Sequence, residues 1–153
     1  MLNEAEREDL TDILAILCTA VGRYLLSDYE PKSNKYKLRN KTEIIRLRDT
    51  QLCAIVLLAQ RFADDPEAVP NGLDNIILQV NTGEGKGIIC SCTAILFAIY
   101  GCKVDVVSSS PVLAMRDCSF EEGCGFIFDL VGVKVGHCCS ESEEVRKKVY
   151  SEC

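Results

Sequence analysis

A glycine-rich segment with a single lysine contains the residues in this sequence that could do chemistry. Residues 79–88 read QVNTGEGKGI. Glycines at 83, 85 and 87 would let successive backbone N–H groups turn inward toward an anion, and the N-terminus of a following helix would add positive potential there. Lys86 would reach the outer phosphates of a nucleotide as a point charge. The segment therefore indicates a phosphate-binding loop.

The match to the general phosphate-loop pattern G-x-x-x-x-G-K-[ST] is incomplete. Val80 occupies the first glycine position, and Gly87 occupies the position of the hydroxyl residue that normally ligates Mg²⁺. Ser91 lies one helical turn further, about 6 Å deeper, and would not replace that hydroxyl. We expect Mg²⁺ binding to be weak or absent. A tight strand-to-helix turn with a solvated lysine is the alternative interpretation.

The segments on either side of this loop alternate between strand and helix patterns. Apolar runs predict strands at 76–80, 104–107 and 131–138. Helices are predicted at 87–100, from Pro111 past Gly123 and Gly125, and at 140–149. This order predicts an α/β fold with a P-loop NTPase-like parallel sheet, truncated to about three strands and joined by right-handed crossovers.

The first part of the chain has a different pattern. Residues 4–26 predict an amphipathic helix, because apolar residues recur at helical spacing after Asn3 and Glu6, which resemble a capping pair. Loops are expected at 27–40 and 64–74, with a helix at 41–63 between them. We therefore predict an N-terminal helix and loop at 1–40 and a truncated nucleotide-binding domain at 41–153.

Composition narrows the classes of function. A chain of 153 residues suits one domain, and a net charge of −6 with scattered acids argues against nucleic acid as a partner. The acidic, polar start at 1–9 does not resemble a signal peptide, which favours a cytoplasmic location. The longest apolar run, 88–102, is shorter than the ~20 residues that a membrane span needs.

The ten cysteines allow two interpretations. The spacing from Cys118 through Cys124 to 137–139 superficially offers zinc ligands, but it contains no C-x-x-C pair. Cys90 and Cys92 lie in an apolar helical run, where their side chains would point about 200° apart. We expect small buried hydrophobic residues and no metal site.

Four ordered segments resemble a known family. NTGEGKG at 81–87, KVDVVSSSPVLAMRD at 103–117 and FDLVGVKVGH at 128–137 resemble the first nucleotide-binding, DEAD-like domain of SecA-type preprotein translocase ATPases. Upstream, LRDTQLCAIVLL at 47–58 is similar to the family segment F-D-V-Q-L-x-G-G. The form SSPVLAMRD is nearest to the SecA-like modules of some eukaryotes. The resemblance covers about 44–150.

The resemblance implies roles for individual residues. Arg116 and Asp117 belong to a motif that braces the motor core in the family, and Arg48 stands where the family has an aromatic residue that stacks on the base. The amide of Gln51 would recognise adenine, because one amide both donates and accepts hydrogen bonds. The phosphates would be held by Thr82, Gly83, Glu84, Gly85, Lys86 and Gly87.

The resemblance also implies a function and partners. ATP or ADP would be the ligand, preproteins and a membrane translocation channel the partners, and the location cytoplasmic or peripheral to a membrane. Hydrolysis in the family needs an acidic D-E-x-D segment and an arginine from a second motor domain. Residues 126–130, FIFDL, offer one acid, and the chain ends where the family's next strand would begin.

We therefore predict an ATP-binding domain of a SecA-like translocase that is degenerate and not hydrolytic on its own, with no catalytic residues. The alternative is a non-catalytic interaction or structural domain, in which an exposed sheet edge mediates self-association. An incomplete gene product is a third interpretation.

Overall fold

The computed structural model describes residues 4–25, 27–30, 35–38, 47–64 and 76–153. Two short strands are described, β1 (Ser27–Glu30) and β2 (Lys35–Leu38). The described helices are α1 (Glu4–Leu25), α2 (Asp49–Asp64), α3 (Lys86–Ile99), α4 (Pro111–Cys118), α5 (Gly125–Leu130) and α6 (Glu143–Glu152). Residues 41–46 of the predicted helix at 41–63 and residues 65–74 of the predicted loop at 64–74 lie outside the described ranges.

The prediction of a parallel sheet of about three strands is wrong. Residues 76–80, 104–107 and 131–138 lie in non-helical connections, and none of them forms a strand ladder. A parallel sheet requires both of its faces to be covered. Here Ile77 is 96% exposed and Val107 is 94% exposed, so these apolar segments lack a covering layer. The sheet edge that we expected to mediate self-association is therefore absent from the described structure.

A β-hairpin occurs where the sequence predicts a loop. Strands β1 and β2 pair antiparallel, in a register that places Tyr29 opposite Tyr36 and Asp28 opposite Lys37. Pro31 and the many charges of this stretch favoured the loop prediction. Tyrosine has a high strand propensity, to which the loop prediction gave too little weight.

Helix α3 lies at the centre of the hydrophobic core. Cys92, Ile95 and Leu96 on α3 are completely buried, at the i, i+3 and i+4 spacing of one helix face. Helix α2 packs against α3, and α1 packs against both α3 and α5. Burying a side chain such as Ile95 contributes roughly 1.5–3 kcal/mol. The N-terminal residue of α3, Lys86, is thereby fixed relative to α2.

The helix that begins at Pro111 ends before the two glycines that it was predicted to pass. Ser110 caps α4 by accepting a hydrogen bond of 3.2 Å from the Leu113 N–H, and the helix ends at Cys118. A turn leads from there to α5. A Cβ atom at Gly123 would lie 2.0 Å from the carbonyl oxygen of Arg116, so this turn requires glycine.

Helix α6 packs on the connection that precedes α4. Ser142 caps α6 by accepting a hydrogen bond from the Val145 N–H. The Tyr150 hydroxyl donates to the carboxylate of Asp105 at 3.1 Å, and the Lys103 ammonium lies 3.9 Å from the centre of the Tyr150 ring. This hydrogen bond to Asp105 raises the pKa of the Tyr150 phenol, because only the protonated phenol can donate it, and repulsion from the carboxylate charge adds to the rise.

Across the described ranges, no helix combines the length and apolarity that crossing a bilayer requires.

Candidate phosphate-binding site

The glycine-rich segment forms a turn that leads directly into α3. Gly83 and Gly85 have φ angles of 88° and 77°, in the left-handed region that favours glycine. The Glu84 N–H donates to the Asn81 carbonyl at 3.3 Å, which closes the turn. Helix α3 begins at Lys86, and the Ile88 N–H donates to the Gly85 carbonyl at 3.0 Å. Left-handed glycines in a turn that leads into a helix are typical of the concave rows of N–H groups that bind anions.

Three consecutive N–H groups are available at the start of α3. Within the described part of the chain, the backbone N–H groups of Gly85, Lys86 and Gly87 donate to no oxygen. The first turn of α3 also has no acidic residue. The positive end of the helix dipole is therefore not offset by a carboxylate of that turn, and the arrangement favours an anion.

The ammonium group of Lys86 lies beside the same loop. Its Nζ donates to the carbonyl oxygens of Val80 and Asn81, at 3.4 and 3.3 Å. Lys86 is exposed, and its three donor hydrogens can turn toward a ligand. Loop N–H groups and a cation are thus brought together, as the sequence predicts for a phosphate.

Gln51 supports the loop from α2. Its side chain is 4% exposed; its Nε2 donates to the Glu84 carbonyl at 2.8 Å, and its Oε1 accepts from the Arg48 N–H at 3.0 Å. A Cβ atom at Gly85 would lie 2.5 Å from this Nε2. Gly85 is therefore required both by its conformation and by the close approach of Gln51.

Arg48 and Thr50 contact the loop in a way that sequence reasoning missed. Arg48 Nη1 lies 3.3 Å from Glu84 Oε2 and 3.4 Å from the Gly83 carbonyl oxygen. The Thr50 hydroxyl donates to the same Glu84 oxygen at 3.4 Å. These partners are more than thirty positions apart in sequence, so no local pattern signalled the contacts.

The remaining predicted site residues, Thr82 and Gly87, are exposed at the two ends of the loop. A Cβ atom at Gly87 would meet no heavy atom within 4 Å. The glycine at this position is therefore not imposed by packing, and a side chain bearing a hydroxyl would fit.

Arg116 and Asp117, the residues of the predicted bracing motif, pair with each other. Arg116 donates to Asp117 Oδ1 from Nε at 3.1 Å and from Nη2 at 2.6 Å. The carboxylate raises the pKa of the Arg116 guanidinium. Both side chains remain about half exposed, so this pair is a surface feature of α4.

The cysteines are all free thiols. No group of three or more potential metal ligands occurs among the residues that the structure describes. Cys92 is fully buried whereas Cys90 is exposed, in agreement with their predicted opposite directions on α3. Burial raises the pKa of the Cys92 thiol to about 12, and burial also raises the pKa of Cys124. These two thiols behave as buried hydrophobic side chains.

Comparison with known proteins identifies the family. A family model described as the SecA DEAD-like domain matches residues 10–153. The chain belongs to this family. The resemblance found in the four sequence segments is thereby confirmed, and the match begins earlier in the chain than those segments indicated.

Individual members of the family are similar over shorter stretches. The protein translocase subunit SecA of Anaplasma marginale (strain St. Maries) is 38% identical over 77 residues, 50% of this chain and 8% of its own length. The SecA subunit of Campylobacter lari is 38% identical over 79 residues, 50% of this chain and 9% of its own length. The SecA subunit of Olisthodiscus luteus is 27% identical over 157 residues.

That last match covers 82% of this chain and 17% of the relative. The chain therefore spans less than a fifth of the length of these SecA subunits. The comparison with solved structures found no match. Membership of the SecA DEAD-like domain family thus rests on sequence, and the site geometry rests on this structure.

Proposed function

We propose that this chain binds an adenine nucleotide, ATP or ADP, through residues 82–87, as a component of a SecA-type protein translocation system. The observation that carries the proposal is the row of three available N–H groups at Gly85, Lys86 and Gly87, beside the Lys86 ammonium. Membership of the SecA DEAD-like domain family supports a nucleotide as the anion.

The loop would hold the phosphates without large rearrangement. The N–H groups of Gly85 to Gly87 would donate to phosphate oxygens, and the helix dipole of α3 would add attraction. Lys86 would exchange the carbonyl oxygens of Val80 and Asn81 for the outer phosphates. This exchange is favourable because a phosphate is charged and a carbonyl is not.

Gln51 would recognise the adenine base. Its amide has two donor hydrogens and two acceptor lone pairs, and its contacts to Glu84 and Arg48 use one of each. The side chain is 4% exposed, so it would have to shift locally for its remaining hydrogen and lone pair to reach the base. Weaker binding of GTP than of ATP is expected from the family's use of this glutamine for adenine.

Binding without turnover is the activity that we propose for the chain on its own. Gly87 provides no hydroxyl for Mg²⁺, and the one acid of FIFDL, Asp129, is exposed near the end of α5. Phosphoryl transfer needs both a held metal ion and an oriented water.

The partners follow from the family and remain part of the proposal. The relatives bear the name protein translocase subunit. We propose preproteins and a membrane translocation channel as partners, with the chain in the cytoplasm or peripheral to a membrane.

The test is calorimetric titration of the purified chain with ATP, ADP and GTP, with and without Mg²⁺, together with a phosphate-release assay. Lys86→Ala is the loss variant. Lys147→Ala is its control, because Lys147 is an exposed lysine of α6, paired with Glu143. We expect saturable ATP binding that Lys86→Ala abolishes and Lys147→Ala preserves, weaker GTP binding, and no phosphate release. Equal binding heats for the wild-type protein, Lys86→Ala and Lys147→Ala would contradict the proposal. Steady Mg-dependent release of phosphate would contradict its non-hydrolytic part.

A second candidate is an interaction domain that associates with a further copy of itself. The exposure of consecutive apolar residues at 76–78 and 106–107 favours it, since contiguous exposed apolar surface marks interaction sites more often than single exposed side chains do. Light scattering separates the candidates. A stable oligomer whose mass does not respond to ATP supports self-association, and a monomer that binds ATP supports the first proposal.

A further inference from the structure

Two side chains at the start of α2 converge on one carboxylate of the phosphate loop. Arg48 Nη1 lies 3.3 Å from Glu84 Oε2, and the Thr50 hydroxyl donates to the same oxygen at 3.4 Å. A further contact joins Arg48 Nη1 to the Gly83 carbonyl at 3.4 Å. The carboxylate of Glu84 is therefore held against α2.

The position of this carboxylate creates an electrostatic problem for anion binding. Glu84 lies between the two left-handed glycines, next in sequence to the row of N–H groups at 85–87. A negative charge there would repel a polyphosphate bound to those groups. A cation beside Glu84 removes most of this repulsion, and Arg48 is the described cation that pairs with it.

Both converging residues depart from the family pattern. Residues 48–51 read RDTQ where the family segment reads F-D-V-Q. Arg48 replaces an aromatic residue and Thr50 replaces a valine, and each new polar group contacts Glu84. The unchanged Gln51 contacts the backbone of Glu84 instead. The two departures thus have one common target.

The Arg48–Glu84 pair is poorly placed to stabilise the fold. The Arg48 side chain is 63% exposed and that of Glu84 is 36% exposed. Ion pairs this open to solvent contribute little to stability, because water screens them and both side chains lose freedom. An effect on a bound anion is larger, since the anion concentrates negative charge beside Glu84.

We propose that Arg48 and Thr50 are positioning residues, which hold and neutralise the Glu84 carboxylate so that the loop can accept the phosphates of a nucleotide. This inference rests on the proposed nucleotide binding. Arg48 acts through Glu84 and need not contact the ligand. The loss of nucleotide affinity on replacing Arg48 should therefore depend on the charge of Glu84.

The test is a double-mutant cycle read by ATP affinity in calorimetry, using Arg48→Met, Glu84→Gln and the double variant. Lys147→Met is the matched control, because it also removes one positive charge from an exposed ion pair. Urea unfolding of each variant checks the fold. We expect Arg48→Met to weaken ATP binding about fivefold at low salt, and the double variant to bind as wild type does.

Salt provides a second readout that loss of structure would not reproduce. The defect of Arg48→Met should shrink as ionic strength rises from about 0.05 M to about 0.5 M, because screening removes the repulsion from Glu84. Thr50→Val should produce a smaller defect in the same direction, since it removes one hydrogen bond and no charge.

Three results would overturn the inference. Equal losses in Arg48→Met and Lys147→Met would mean that only net charge matters. A double variant as weak as Arg48→Met would mean that Arg48 does not act through Glu84. Wild-type protein that binds no ATP would overturn the proposed function as well, whereas the first two results leave ATP binding intact.

Discussion

Gln51 donates a hydrogen bond of 2.8 Å from its side-chain Nε2 to the backbone carbonyl oxygen of Glu84, 33 positions further along the chain. The bond joins the first turn of α2 to the glycine-rich loop at 82–87. Because Gln51 is almost completely buried, water cannot readily replace Glu84 as its partner. The conformation of the loop is thus fixed by a helix that is distant in sequence.

Gly85→Ala should destabilise the protein more than Gly83→Ala does. Both glycines have positive φ angles, so each substitution costs about 1 kcal/mol in backbone strain. Only at Gly85 would the new Cβ atom meet Gln51, at 2.5 Å; Gly83 has open space. Urea unfolding of the two variants measures the difference. Equal losses would show that Gln51 does not pack closely on the loop.

Gly87→Thr should make ATP binding dependent on Mg²⁺. The new side chain fits, since a Cβ atom at this position meets nothing within 4 Å, and its hydroxyl supplies the missing metal ligand. We expect a gain in affinity with Mg²⁺ on the order of tenfold, equivalent to ~1.4 kcal/mol. Gly87→Val is the control, because valine has the same shape without the hydroxyl. A Mg²⁺ response in both variants would exclude the hydroxyl as its cause.

The free energy of unfolding should fall as the pH rises above 9. The Cys92 thiol has a folded-state pKa raised from 9.0 to about 12 by burial, so only the unfolded chain ionises it between those values. The unfolded state then binds fewer protons, and stability declines by up to about 1.4 kcal/mol per pH unit. The contribution that the protonated Cys92 thiol makes to stability is complete below pH 9 and is lost as the pH approaches 12.

Cys92→Ala tests the origin of this pH dependence. The variant is expected to be less stable at neutral pH, because it leaves a cavity, but its stability should decline less steeply above pH 9. Cys53→Ala is the control, since Cys53 is exposed on α2. Urea unfolding at several pH values between 8 and 10.5 provides the slopes. An unchanged slope in Cys92→Ala would assign the decline to other groups.

Gly123→Ala should be among the most damaging single substitutions. Its Cβ atom would lie 2.0 Å from the Arg116 carbonyl oxygen and 2.7 Å from that of Asp117, and backbone atoms cannot rotate away. We expect a loss of roughly 2–4 kcal/mol. Gly132→Ala, with a positive φ but open surroundings, should lose about 1 kcal/mol. Similar thermal midpoints for the two variants would contradict the tight turn between α4 and α5.

The sequence correctly predicted the helices and the turn whose formation depends on residues close together in the chain. Helical spacing located α1 and α3, and the glycine spacing located the turn at 83–85, because the period of a helix and the conformational freedom of glycine are local properties. The predicted roles of Gln51 and residues 82–87 toward a nucleotide stay predictions, although the structure places Gln51 against the loop.

The sequence failed where the outcome depends on distant partners. Alternating apolar residues at 104–107 predicted a strand, but a strand exists only where another chain segment pairs with it. Similarly, Arg48 and Thr50 carry no local sign of contact with Glu84, which lies more than thirty positions away. The hairpin at β1 and β2 was missed because charges and a proline dominate its composition.

The most direct test of the account is an amide NMR titration of the isotope-labelled chain with ATP. Binding at the loop predicts that the N–H resonances of Gly85, Lys86 and Gly87 shift most, in a saturable manner, and that Lys86→Ala abolishes these shifts. Absence of any shift in a folded protein, or shifts that are largest away from residues 82–87 and unaffected by Lys86→Ala, would contradict it.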